Sequence, residues 1–172
     1  MTKVYTLYLS TSVISPTTNL IVPLNVTDKG NATWQVDFRS LFNGDNNRFK
    51  RCQVRFNLQS SSWTAGGTDW NTFQGYLSLN LPSTYTASTS KGTPLGLIFP
   101  IDAPTTSTTT HVYQVSTLGN AVGVDINMPS DNQLVNFQFL NDDSFSNIGS
   151  VPDWQILLSF ELSEPIEGCN CN

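Results

Sequence analysis

At 172 residues and 19.0 kDa, with no apolar run of membrane-spanning length, the chain fits one domain large enough to bury a core without staples. Only 12% of residues are charged, while Ser, Thr and Asn make up roughly a third of the chain, which disfavours long helices and favours strands and turns. A formal net charge of −5 argues against general nucleic-acid binding, which needs a basic surface to displace counterions.

Strand patterns begin at once. Val4 to Leu9 alternates, so the first residues, MTKVYTLYLSTS, lack the continuous apolar block of a cleavable export signal. Leu20 to Leu24 predicts a short edge strand interrupted by Pro23. Asn25-Val26-Thr27 and Asn31-Ala32-Thr33 match the glycosylation sequon but read as chance matches in so Asn- and Thr-rich a chain.

Ala32, Trp34, Val36 and Phe38 then take every second place, as do Cys52, Val54, Phe56 and Leu58 after a turn-rich joint, Asn43 to Asn47. A period of two puts these apolar residues on one sheet face. Five of the eight cations, Arg39, Arg48, Lys50, Arg51 and Arg55, fall in this segment. Beyond Arg55 the only cation is Lys91, whereas most acids lie there, so the segment reads as an electrical pole suited to ordered association with copies or an acidic partner. The plainer alternative is that Arg51 and Arg55 only solvate an outward face.

The next segment, SSSWTAGGTDWNTFQG, holds Trp63 and Trp70 among small polar residues. Such tryptophans either fold back onto the sandwich, plug a neighbouring protein or stack on sugar rings. Further strands are predicted at Tyr76 to Leu81, Leu95 to Ile101, His111 to Val115, Val122 to Met128, Val135 to Phe139 and Trp154 to Leu162. Pro82-Ser83, Pro129 to Asn132 and Asn141 to Asp143 punctuate them as turns.

Eight to ten short strands with long connections predict an all-β antiparallel sandwich, a single jelly roll of about eight strands. The domain is expected to span residues 1–165, with 166–172 a short C-terminal tail.

No catalytic constellation emerges. The sole histidine, His111, has no Ser- or Cys-centred motif to serve, and Asp142-Asp143 and Asp125 read as turn or surface carboxylates. There is no phosphate loop, HExxH or CxxC, so no enzymatic activity, cofactor or small-molecule substrate is expected. Three cysteines do not make a disulfide scaffold. Cys52 reads as a small buried hydrophobe, and Cys169 and Cys171 form a terminal Cys-Asn-Cys. Inert thiols, a disulfide within or between subunits, and a metal site (for which two thiols and His111 are too few) are the alternatives.

The segments KVYTLYLSTS, WQVDFRSLFNG and FKRCQVRFNLQSSS resemble small single-jelly-roll minor and penton capsid proteins of large icosahedral double-stranded DNA viruses. There a short first strand precedes an aromatic, Asp-containing strand and a basic strand like Lys50-Arg51-Cys52-Gln53-Val54-Arg55-Phe56-Asn57-Leu58. The resemblance covers about the first third of the chain and implies a non-enzymatic virion protein, assembled inside the host cell beside copies of itself or the major capsid protein. In such a virion protein the basic residues Arg39, Arg48, Lys50, Arg51 and Arg55 and the loop tryptophans Trp63 and Trp70, read above from charge and loop composition, would be the interface residues. The disulfides that some of these viruses carry would involve Cys52, Cys169 or Cys171. A carbohydrate- or receptor-binding sandwich using Trp63 and Trp70 is the alternative.

Overall fold

The structure is a computed structural model that describes residues 1–12, 20–63, 74–81, 87–88, 94–95, 97–102, 111–116, 123–141 and 153–166. In chain order its strands begin with β1 (Lys3–Ser10), β2 (Ile21–Asn25), β3 (Asn31–Asp37) and β4 (Phe49–Trp63). Next come β5 (Gln74–Leu79), β6 (Ala87–Ser88), β7 (Pro94–Leu95) and β8 (Leu97–Asp102). The last are β9 (His111–Ser116), β10 (Val124–Ile126), β11 (Asn132–Asn141) and β12 (Trp154–Pro165).

Two antiparallel sheets carry the fold. The first runs β1-β12-β4, with β10 and β9 both pairing β4; the second runs β2-β3-β11-β5-β8. The pairing is nested: β1 with β12, β3 with β11, β4 with β10 and β9, β5 with β8. A chain folded back on itself in this way, with alternate pairs assigned to opposite sheets, has jelly-roll connectivity.

The alternation that predicts the strands also builds the core. Trp154, Ile156, Leu158, Phe160 and Leu162 of β12 are buried, as are Ala32, Trp34 and Val36 of β3 and Cys52, Val54, Phe56 and Leu58 of β4. Side chains from the two sheets interlock, the Trp34 and Trp154 rings meeting edge to face at 5.6 Å, and Phe38, just past the end of β3, meets Phe160 likewise at 5.5 Å. Trp154 also touches Phe137 and Phe139, and its Nε1 donates to the Lys29 carbonyl at 2.8 Å, so the ring is buried without orphaning its one polar atom.

Several boundaries differ from the alternation. Phe38, expected to finish β3, instead opens a four-residue helix, α1 (Phe38–Leu41). Asp37 caps it, its carboxylate accepting from the Ser40 amide at 3.0 Å and the Ser40 hydroxyl at 2.6 Å. The turn that follows becomes a 3-10 turn over Asp45–Asn47, entered through Gly44 at φ 77°, a conformation that costs glycine nothing. The fourth strand runs on to Trp63, through the serines expected to begin a loop. The predicted strand Leu95 to Ile101 is divided between β7 and β8, and β7 pairs with β6 in a separate two-stranded ribbon. Pro23 does lie in an edge strand, β2, beside a register shift. Residues 167–172, nearly all of the expected tail, lie outside the described residues.

Candidate functional site

The pairing of strands distant in sequence rearranges the basic segment. Because β12 and β10 lie on either side of β4, acids from late in the chain arrive beside its arginines. Arg51 makes a two-point contact with Asp125, Nε to Oδ1 at 2.9 Å and Nη2 to Oδ2 at 3.1 Å, and its Nη1 lies 3.8 Å from Glu164. Arg55 lies 3.4 Å from Glu161. Hydrogen bonds from Arg51 and Gln53 hold the Asp125 carboxyl below its ordinary range, so Asp125 is an ion-pair partner here. Arg39 and Lys50 are exposed and form no ion pair among the described residues.

Arg48 belongs to a different cluster, which sequence reasoning missed. The Asp45 carboxylate, only 2% exposed, is 2.6 Å from Lys3 Nζ and 3.8 Å from Arg48 Nη1, and it accepts the Tyr5 hydroxyl. Burial pushes the Asp45 pKa up, but the hydrogen bonds from Lys3 and Tyr5 and the charges of Lys3 and Arg48 outweigh it and hold the group below the ordinary value. Tyr5, desolvated and donating to a carboxylate, is pushed up to about 12. The cluster ties β1 to the joint between α1 and β4. The joint is pinned elsewhere too: Asn46 Nδ2 donates to Asp131 at 2.7 Å, and the Ile166 amide donates to the Arg48 carbonyl at 2.9 Å. A short 3-10 turn rich in Asp and Asn gives no sequence signal of its partners, which come from β1 and from the chain after β10.

Cys52 is a free thiol, 1% exposed, facing the core. Burial, aided by the Asp125 charge, pushes its pKa up to about 12, so it is neither nucleophile nor accessible partner in the folded chain. Trp63 ends β4, its backbone opposite His111 beyond a register shift. Trp70, Cys169, Cys171, Asp142 and Asp143 lie outside the described residues.

The outer faces of both sheets retain apolar side chains. On the second sheet Val22, Gln35 and Leu134 fall in one cross-strand row, with Leu24 nearby; Val22, Leu24 and Leu134 are 38%, 54% and 51% exposed. Among the described residues no three His, Cys, Asp or Glu side chains converge as metal ligands would, and no helix is long and apolar enough to cross a membrane.

No protein-family model matches the chain, and no curated protein matches it. Among solved structures, one of Desmodium yellow mottle tymovirus aligns at 14% identity over 99% of this chain and 91% of that chain, with a TM-score of 0.30. The empty head of turnip yellow mosaic virus aligns at 5% identity over 100% of this chain and 85% of that chain, TM-score 0.29. A nora virus structure aligns at 8% identity over 99% and 60%, TM-score 0.23. Values this low assign no family, partner or activity.

Proposed function

We propose that the chain is a non-enzymatic viral structural protein, a minor or vertex (penton) component of an icosahedral capsid that packs against copies of itself or the major capsid protein. The observation that carries the reading is the outer face of the second sheet. Val22, Leu24 and Leu134 stand exposed there beside Gln35 and Asn136, with Asp37 one row away on the same face. Faces with exposed apolar side chains and few charges suit burial against another protein, and the wealth of amide and hydroxyl groups suits wet, hydrogen-bonded contacts at the rim. The resemblance of the first third of the chain to single-jelly-roll capsid proteins supports the same reading. Arg39 and Lys50, together with Trp63 and Trp70, supply the remaining contacts, while Arg48, Arg51 and Arg55 enter them already paired with carboxylates.

Sedimentation velocity of the purified chain tests the proposal. An oligomer is expected at moderate concentration, reduced to monomer by Leu24→Glu with Leu134→Glu while circular dichroism stays unchanged. A chain monomeric at every concentration, and missing by mass spectrometry from purified particles of the virus that encodes it, overturns it.

A further inference from the structure

The outer face of the first sheet carries a pocket of about 210 Å3, lined by Tyr8, Asn57, Gln59, Gln155 and Leu157. Register explains the grouping. Tyr8 faces Leu157 across β1 and β12, and Leu157 faces Asn57 across β12 and β4, so the three form one row. Gln155 and Gln59 face each other in the next row of that side.

The polar groups are ordered before any ligand arrives. Tyr8 Oη donates to Gln155 Oε1 at 2.6 Å, and Gln155 Nε2 donates to Gln59 Oε1 at 3.0 Å. This relay consumes the Gln59 carbonyl and leaves its NH2 with no acceptor among the described residues. Asn57 Oδ1 is buried and has no hydrogen-bond partner among the described residues. A buried acceptor left unmade is costly, and the adjoining pocket is far larger than one water needs.

The chemistry of the lining narrows the ligand. Among the described residues no carboxylate or cation lines the pocket, and the charged side chains two positions along the strands, Arg55 beside Asn57 and Asp153 beside Gln155, are paired with Glu161 at 3.4 Å and Lys29 at 2.9 Å. A charged ligand would therefore find no counterion. Tyr8 and Leu157, 43% and 39% exposed, offer an aromatic ring and an aliphatic edge beside three amides. A ligand with hydroxyl donors and acceptors on its rim and an apolar ring face matches that combination.

We propose that this pocket binds one neutral sugar residue, a hydroxyl donating to Asn57 Oδ1, another accepting from Gln59 Nε2, and the ring resting on Tyr8. The site is separate from the Val22, Leu24 and Leu134 face and does not depend on the capsid reading.

Saturation-transfer NMR of the full chain with the methyl glycosides of galactose, glucose and N-acetylglucosamine tests it. Transfer to at least one glycoside is expected, with affinity falling at least about tenfold in Asn57→Leu. Tyr8→Thr, at an exposed edge-strand position, should weaken the same glycoside and serves alone if the Asn57 variant does not fold. Absence of transfer from all three glycosides, or transfer undiminished in the folded variants, overturns the proposal.

Discussion

Lys3 and Asp45 meet at 2.6 Å, joining the first strand to the turn that leads into β4, with the carboxylate almost fully buried. Lys3 and Arg48 keep 28% and 44% of their side chains in water, so Asp45→Asn strands no buried charge and should cost about 1–2 kcal/mol at neutral pH through the lost charge-assisted hydrogen bonds. The pH dependence has two limbs. Asp45 is held below the ordinary carboxyl value, so its contribution is present above that value and is lost as pH falls through the folded pKa. Tyr5 is raised from 10.0 to about 12, so its contribution is intact below 10 and is lost as pH climbs towards 12. Urea midpoints against pH should show a flatter acid limb in Asp45→Asn and a flatter alkaline limb in Tyr5→Phe. Identical limbs in variants and wild type would show that the cluster is not coupled to folding.

The core was more legible than the surface, and the reason is physical. Alternation is local: Trp154 to Leu162 and Ala32 to Val36 announce their buried faces within a few residues, and the structure buries those side chains. Ion pairing is not local. The apparent positive pole at Arg51 and Arg55 is built from residues whose partners arrive from much later in the chain, Asp125 from 74 positions on and Glu161 from farther still. Only the nested pairing brings them together. The four residues Phe38–Leu41 were hidden differently, because Phe38 keeps the strand rhythm while Asp37 and Ser40 cap a helix too short to show a 3.6-residue stripe. Tyr8, Asn57, Gln59 and Gln155 occupy outward positions on three strands, and nothing in any one strand marks them as neighbours.

Trp154 sits where the two sheets interlock, and its loss should be felt throughout. It is 2% exposed and packs against Trp34, Phe137 and Phe139. Trp154→Ala should cost about 3–5 kcal/mol by opening a cavity among aromatic rings. Trp154→Phe keeps much of the volume but leaves the Lys29 carbonyl without its donor, and should cost about 1–3 kcal/mol. Denaturant unfolding followed by circular dichroism gives both values; equal losses would mean that the hydrogen bond dominates over packing.

Cys52 should behave as a core residue in solution. With Cys169 and Cys171 replaced by serine, a thiol reagent at pH 8 should label the native chain only as fast as it unfolds, because the thiol is buried and its pKa is pushed up to about 12. Full labelling should follow in denaturant. Rapid labelling of the native variant, or a dimer on non-reducing electrophoresis through Cys52, would contradict the buried placement.

The charge on the basic segment divides into two groups with different expected behaviour. Arg51 and Arg55 face carboxylates across β10 and β12, so reversing them to glutamate would set like charges against Asp125, Glu164 and Glu161 and confuse sheet damage with lost assembly. Arg51→Gln with Arg55→Gln is the cleaner change. As rim pairs on a solvated face they should leave the melting temperature and the salt dependence of any association nearly unchanged. Arg39 and Lys50 are exposed without an ion pair among the described residues, so they retain a field that a partner can feel. Arg39→Glu with Lys50→Glu should weaken association and flatten its dependence on ionic strength, with circular dichroism unchanged. Sedimentation of the two double variants across a salt series separates them. Stronger impairment by the glutamine pair than by the glutamate pair would mean that the Arg51 and Arg55 pairs open to meet a neighbour, and that the partner competes with Asp125 and Glu161 for the same guanidinium groups.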